Sequence, residues 1–434
     1  MKIGKMRAMT MGMALALGTM GVLASPALAQ TNAEATENRF DARAADVITL
    51  FNTDRDPAEV FADAFLSQVP PEQFAAVTAQ LVAQLGDIVG VETVEQTGEN
   101  GAKITLRFEK ALASGPMTLE AAAPYKISGL LLNDIHPIDA GADTLSADIE
   151  ALSGSKAAWF GPIDGDPIFT YGDATKPFAL GSTFKLYVLA ALSRAVSEGR
   201  LAWDQVVTLD QKSFPSGRLQ TWPDGSPVTL HTAATLMISI SDNTATDLVM
   251  KALGREAIEA EMRASGHTLA GKTLPFLTTR EMFVIKSSDI GESYAAASEA
   301  ERRAILASLD LEDITEDQFL ETFTSGTPVL IEDIEWFASM TDQMGLMRLL
   351  AGLPDDTARQ IMAVNTALGE SDEEGWSYVG YKGGSEAGVL NMSWLLQDES
   401  GQWHMLAISQ MDPDSEIDTA ALLMMAKRIL ALAE

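Results

Sequence analysis

A hydroxyl and an amine three residues apart open the chemical reading of this chain. Ser182-Thr183-Phe184-Lys185 leads into a run, residues 184–192, that is apolar nearly all round. That is the pattern of a helix buried in the middle of a domain. Positions three apart at the start of such a helix share a face, so the Lys185 amine can reach the Ser182 hydroxyl. Serine becomes a good nucleophile only when a neighbouring base takes its proton. Lysine can be that base only if burial or a second cation lowers its pKa, and a buried helix supplies the burial. Free N–H groups of the first helical turn would face the oxyanion that the attack creates. The same tetrad occurs at Ser153-Gly154-Ser155-Lys156, since about one chance match is expected in a chain of this length. No apolar helix follows Ser153, which reads as a helix end.

Two further segments carry polar groups in suggestive places. Ser241-Asp242-Asn243 lies between a helix expected over 230–240 and another over 244–253, which stops at Gly254. Taken alone it is good helix-capping chemistry. Lys382-Gly383-Gly384-Ser385 closes a strand expected over 378–382. Taken alone it is a strand-to-turn glycine pair.

Together the three segments resemble the S-x-x-K, S-D-N and K-[ST]-G set of the class A serine β-lactamases and penicillin-binding enzymes. The resemblance covers about residues 140–434. It extends to Leu277-Thr278-Thr279-Arg280-Glu281-Met282, similar to the family's helix start after its omega loop, and to a final hairpin over 388–409. It implies that Ser182 is acylated, that Lys185 is its general base or orienter, and that Ser241 relays a proton to the leaving group. It further implies that Asn243 binds a substrate amide or Lys185, that Lys382 supplies positive charge for a substrate carboxylate, and that Ser182 and Ser385, beside Gly384, supply the oxyanion-hole N–H groups.

The chain departs from that family in three places. The interval 266–277, where a loop glutamate would activate the deacylating water, contains no Glu or Asp and is short. Glu281 is the nearest substitute on the following helix, its ordinary reading being a first-turn helix charge. The third motif is Lys-Gly-Gly, so the hydroxyl beside the lysine is missing, and Ser385 is the residue that would replace it. No Arg lies on the strands after Lys382. An added helical segment, 287–375, carries the run Ile334-Glu335-Trp336-Phe337, read as a lid over the site or as helical decoration.

The elements that must position these residues give an α+β fold class in two domains. Residues 36–137 read as two helical stretches, 40–51 and 57–85, followed by strands near 91–95, 102–108, 117–122 and 125–132. This order resembles the cystatin-like or steroid-isomerase-like (NTF2-like) α+β domain. A linker at 137–143 precedes the second domain, 142–434, in which strands from both ends make one antiparallel sheet around a helical middle. Residues 1–29 read as a signal peptide: Lys2, Lys5 and Arg7, an apolar stretch, then Ala27-Leu28-Ala29 before the cut. The mature chain is then expected to be secreted or periplasmic, with no membrane span.

The 434 residues carry 61 acids against 30 bases, a net charge of −31, which disfavours nucleic acid and anionic lipid as partners. With no Cys, disulfides and thiolate chemistry are excluded. His136, His231, His267 and His404 show no metal-ligand spacing, and no metal or cofactor is expected. The expected partner is a small acyl substrate, a β-lactam or an ester. The readings are an acyl-enzyme hydrolase with weak β-lactam turnover, an esterase or amidase on the same scaffold, and an acyl-binding sensor.

Overall fold

The computed structural model describes residues 33–53, 55–138, 141–311 and 326–433; the expected leader, 1–29, lies outside them. The chain divides into two compact units. One is drawn from the chain up to residue 139 together with 368–372, the other from 140–367 and 373–434.

The first unit contains helices α1 (Ala33–Asn52) and α2 (Pro71–Leu85) and five antiparallel strands: β1 (Ile88–Gln96), β2 (Gly101–Phe108), β3 (Ala111–Leu119), β4 (Ile127–Leu130) and β5 (Asp134–Pro137). The strand order is β1-β2-β3-β4, with β5 also on β3. On β2 the expected alternation holds, with Ala102, Ile104, Leu106 and Phe108 buried. The second helical stretch is broken into a turn at Pro57–Glu59, one helical turn at Asp63–Leu66, and α2. Pro71 opens α2 at a position where a missing N–H costs nothing. Strand β3 begins at residue 111, not 117, because Ala113 pairs with Leu106 on one side and Ile135 on the other. No local alternation announces that. Residues 368–372 join this unit through Ser371 Oγ, which donates to Asp134 Oδ1 at 2.8 Å.

The second unit starts with α3 (Ala142–Ala151), β6 (Ser155–Pro162), β7 (Phe169–Tyr171) and β8 (Phe178–Ala179). A 3₁₀ turn at Gly181–Phe184 leads into α4 (Lys185–Ser197). A short ribbon, β9 (Val206–Thr208) and β10 (Pro227–Thr229), precedes α5 (Leu230–Ser239), α6 (Asn243–Leu253), α7 (Arg255–Ala264) and α8 (Thr279–Lys286). Next come β11 (Phe337–Ala338), which pairs with β8, and α9 (Met340–Ala351). The chain closes with β12 (Trp376–Glu386), β13 (Val389–Asp398), β14 (Trp403–Met411) and α10 (Thr419–Leu430). The sheet order is β12-β13-β14-β6-β7, antiparallel throughout, so both ends of the domain contribute as expected. The region 182–365 is less uniformly helical than the sequence suggests, since β9, β10 and β11 interrupt it.

Strand β13 is buried at eight consecutive positions, as a strand covered on both faces must be. Its polar residues are satisfied inside: Asn391 Nδ2 donates to Ser409 Oγ and Gln343 Oε1, and Ser393 Oγ to Gln343 Oε1. Helix α4 runs through the core, with Leu186, Val188, Leu189, Ala190 and Leu192 fully buried. The decoy tetrad proves to be a helix stop: Lys156 Nζ donates to Glu150 O and Leu152 O at the end of α3.

Because α4 carries the core, Leu189→Ala should cost about 2–5 kcal/mol of unfolding free energy. Urea titration monitored by circular dichroism measures it. A loss below ~1 kcal/mol would show that α4 is not the central packing element.

Candidate active site

The turn at Gly181–Phe184 is fixed from both sides. Leu180 N donates to Trp336 O at 2.8 Å, and the Phe184 ring stacks on Trp336 with centroids 3.6 Å apart. On the other side lies β12. A Cβ on Gly384 would collide with Leu180 O and with the amide nitrogens of Ser182 and Thr183. Gly181, at φ +48°, faces Ser385 N in the same way. Glycine at these two positions lets the strand and the turn touch backbone to backbone. The Ser182 and Ser385 amides therefore lie at one contact.

Strand β12 runs unbroken through Lys382-Gly383-Gly384-Ser385, in register with Ser393, Met392, Asn391 and Leu390. The expected strand end is thus corrected: the glycines lie within the ladder because cross-strand hydrogen bonds outweigh their turn preference. Ser385 is exposed, two residues beyond Gly383 on the same face of the strand.

Ser241 occupies the left-handed region at φ +57°, a conformation that costs a non-glycine residue about 1 kcal/mol or more. Asp242 enforces it. Its fully buried carboxylate accepts from Ala245 N at the start of α6 and from Arg218 N and Leu219 N in the preceding loop. Asn243 is held by Phe214 O, to which Nδ2 donates at 3.1 Å.

These constraints bring two lysines to one hydroxyl. Lys185 Nζ, fully buried, donates to Ser241 O at 2.7 Å, Asn243 Oδ1 at 2.7 Å and Ser241 Oγ at 3.1 Å. Lys382 Nζ donates to the same Ser241 Oγ at 3.1 Å and to Gly383 O. The direct Ser182–Lys185 hydrogen bond expected from their spacing is not formed. An ammonium has three protons, and all three are taken by Ser241 and Asn243. The half-buried Ser182 hydroxyl makes no hydrogen bond to a described residue.

Burial and then the Lys382 charge push Lys185 well below its usual range, against the upward pull of Asp247 and Asp242. Burial pushes Lys382 down to about 7. Asp247 escaped the sequence reading. It lies one turn beyond Asn243, and its buried carboxylate accepts from Ser213 Oγ (2.6 Å), Thr279 Oγ1 (2.7 Å), Thr279 N (2.9 Å) and Arg280 N (3.1 Å). Burial outweighs these bonds and raises its pKa. The only signal was an acid one turn after Asn243 on the same helix.

Within the interval 266–277, residues 273–277 pack as core, with Leu274, Phe276 and Leu277 buried. Trp336 Nε1 donates to Leu277 O, and Phe337 N to Thr273 Oγ1. The lid reading of the aromatic run is therefore corrected. Trp336 and Phe337 are buried against the nucleophile turn because their rings have Phe184 and this loop to pack on. Glu281 closes a capping box with Thr278 and accepts from Arg255 Nη2 at 2.6 Å, so its carboxylate serves the start of α8.

Residues 144–308, which contain Ser182, Lys185, Ser241 and Asn243, match the model of the beta-lactamase enzyme family. That stretch of the second unit is similar to the beta-lactamase enzyme family. Three solved structures are similar to the chain. The beta-lactamase from Sphaerobacter thermophilus DSM 20745 is 21% identical over 68% of this chain and 94% of that one, with a TM-score of 0.46. PBP-A is 17% identical over 67% and 94%, with a TM-score of 0.46. The beta-lactamase from Francisella tularensis is 13% identical over 67% and 97%, with a TM-score of 0.47. No curated protein matches the sequence.

A lysine must be neutral to take the serine proton, so activity should rise as pH passes the site's depressed lysine pKa. Acylation kcat/KM for a chromogenic ester is expected to rise with pH and to level off well below the ordinary lysine value. A profile still climbing at pH 10, toward the ordinary lysine value of 10.5, would contradict the buried pair.

Proposed function

We propose that this protein is an active-site-serine hydrolase that forms an acyl-enzyme on Ser182 from β-lactams or related small acyl compounds. The observation that carries the reading is the convergence of Lys185, Ser241 and Lys382 on one hydroxyl next to the Ser182 turn. In this mechanism Ser182 Oγ attacks the acyl carbon and its proton passes to Lys185. The Ser182 and Ser385 amides hold the oxyanion. Ser241, bridging both lysines, delivers the proton to the departing nitrogen or oxygen, and Asn243 orients Lys185 or a substrate amide. Water then releases the acid and restores the Ser182 hydroxyl.

Acylation has its full set of groups, whereas release has no carboxylate on the 266–277 loop. A β-lactam adduct is therefore long-lived, and penicillin turnover is slow. The apolar packing of that loop also favours a second reading, an esterase or amidase on the same scaffold, whose acyl-enzyme is less hindered towards water. We further propose that the chain is exported after removal of residues 1–29. Among the described residues no helix is long and apolar enough to cross a membrane.

Intact-mass analysis after incubation with a penicillin and with p-nitrophenyl esters tests the reading. The expected outcome is a persistent penicillin adduct on Ser182 and measurable ester turnover. Both should fall at least ~10³-fold in Ser182→Ala. Penicillin hydrolysis at the efficiency of a dedicated β-lactamase would overturn the slow-release part. Full activity in Ser182→Ala would overturn the mechanism. For export, the protein recovered from the periplasm or medium of an expressing cell should begin at Gln30 by mass. An uncut chain retained in the cytoplasm would refute it.

A further inference from the structure

Resting on the Ser182 reading, we propose that the site is built for acyl compounds that carry no carboxylate, namely neutral esters or amides. The argument lies along β12, the edge strand beside the nucleophile turn. Lys382, the cation that would greet an anionic substrate, is 3% exposed, and its ammonium is turned inward onto Ser241 Oγ and Gly383 O. The next position, Gly383, bears no side chain, and the space beside it is filled. A Cβ there would collide with the hydroxyl of Tyr381, whose ring leans on Trp394 with centroids 4.7 Å apart. A phenol is uncharged at neutral pH.

Two cations at the ends of this sheet are committed elsewhere. Lys286, at the far end of β12, is buried between Glu386 and Glu335. Arg428 Nη1 donates to Asp148 Oδ2 at 2.5 Å. Strands β13 and β14 carry no Lys or Arg. The protein's net charge of −31 adds a negative field that repels anions at long range. Near Ser241 the surface is apolar instead. Ile240, immediately before it, is 39% exposed, and Val364 is 58% exposed beside Asn365, which donates to Ser239 O. A neutral substrate gains there what an anionic one would lose in unpaired desolvation.

For an ester the chemistry balances without further partners. The Ser182 oxygen bonds to the acyl carbon, the ester C–O bond breaks, and the alcohol leaves with the serine proton. One water then gives the carboxylic acid and the free serine.

The test uses two p-nitrophenyl phosphonate esters of equal size, one neutral and one bearing a carboxylate on the acyl side, with labelling of Ser182 in the full-length protein followed by intact mass. The neutral probe should label at least ~tenfold faster, the scale of one missing charge-assisted contact. The gap should persist at high salt, which screens the long-range field. Equal labelling, or faster labelling by the carboxylate probe, would overturn the inference while leaving Ser182 as nucleophile. Failure of both probes to mark Ser182, with esters hydrolysed normally by Ser182→Ala, would overturn the nucleophile assignment and this inference with it. Tyr381→Arg, which places a guanidinium where the phenol lies, should narrow the gap between the two probes. An unchanged ratio in a variant still labelled by the neutral probe would show that the phenol does not set the preference.

Discussion

Two buried amines share one serine oxygen, and the rest of the site follows from that crowding. Two full positive charges within hydrogen-bond reach of one atom repel strongly where water is excluded. Burial already disfavours each charge separately. A neutral amine is therefore present at pH values where an isolated lysine would be fully charged. Neutral lysine is what the chemistry requires. Asp247 and Asp242 work against that lowering at Lys185. Neither carboxylate bonds to a lysine; Asp242 is held by three backbone N–H groups, and Asp247 by two backbone N–H groups and the hydroxyls of Ser213 and Thr279. They act on Lys185 through space, pulling its pKa upward.

Holding two like charges together takes rigid scaffolding, and it comes from three places in the chain. Helix α4 enters through the centre of the core, so Lys185 cannot retreat to solvent. The Ser241 backbone is held in a left-handed conformation by the three amides on Asp242. Strand β12 brings Lys382 in from the sheet, and its register is fixed by ten paired positions on β13. The joint between sheet and nucleophile turn is nearly bare backbone, at Gly384 and Gly181. A methyl group at Gly384 would push the turn away from the strand, separating the two amides.

Much of this was legible in the sequence, because buried helices and short polar motifs leave local marks. The all-apolar run after Lys185, the capping chemistry of Ser241-Asp242-Asn243 and the alternation of β2 each follow from neighbours in the chain. What escaped depends on distant partners. The glycines of Lys382-Gly383-Gly384-Ser385 look like a turn by propensity, and only the pairing with Asn391 and Leu390 makes them strand. Strands β3 and β5 are fixed by each other. Asp247 resembles any helix acid until Thr279 and Ser213 are seen around it. The run 334–337 was left between lid and helical decoration because nothing local told that Phe184 would stack on Trp336.

That stacking bears on how the site divides its labour. The groups that make an acyl-enzyme come from the Gly181–Phe184 turn, α4, the α5–α6 loop and β12, and all are polar. The wall formed by 266–277 and 334–338 is made instead of Leu274, Phe276, Leu277, Trp336 and Phe337, whose buried faces gain from excluding water. A carboxylate there would need a hydrogen-bond partner or would sit uncompensated in an apolar pocket. The same ring that steadies the nucleophile turn thus makes that wall a poor place to hold and activate water. Firm support for Ser182 and slow release of its acyl group are two consequences of one packing choice.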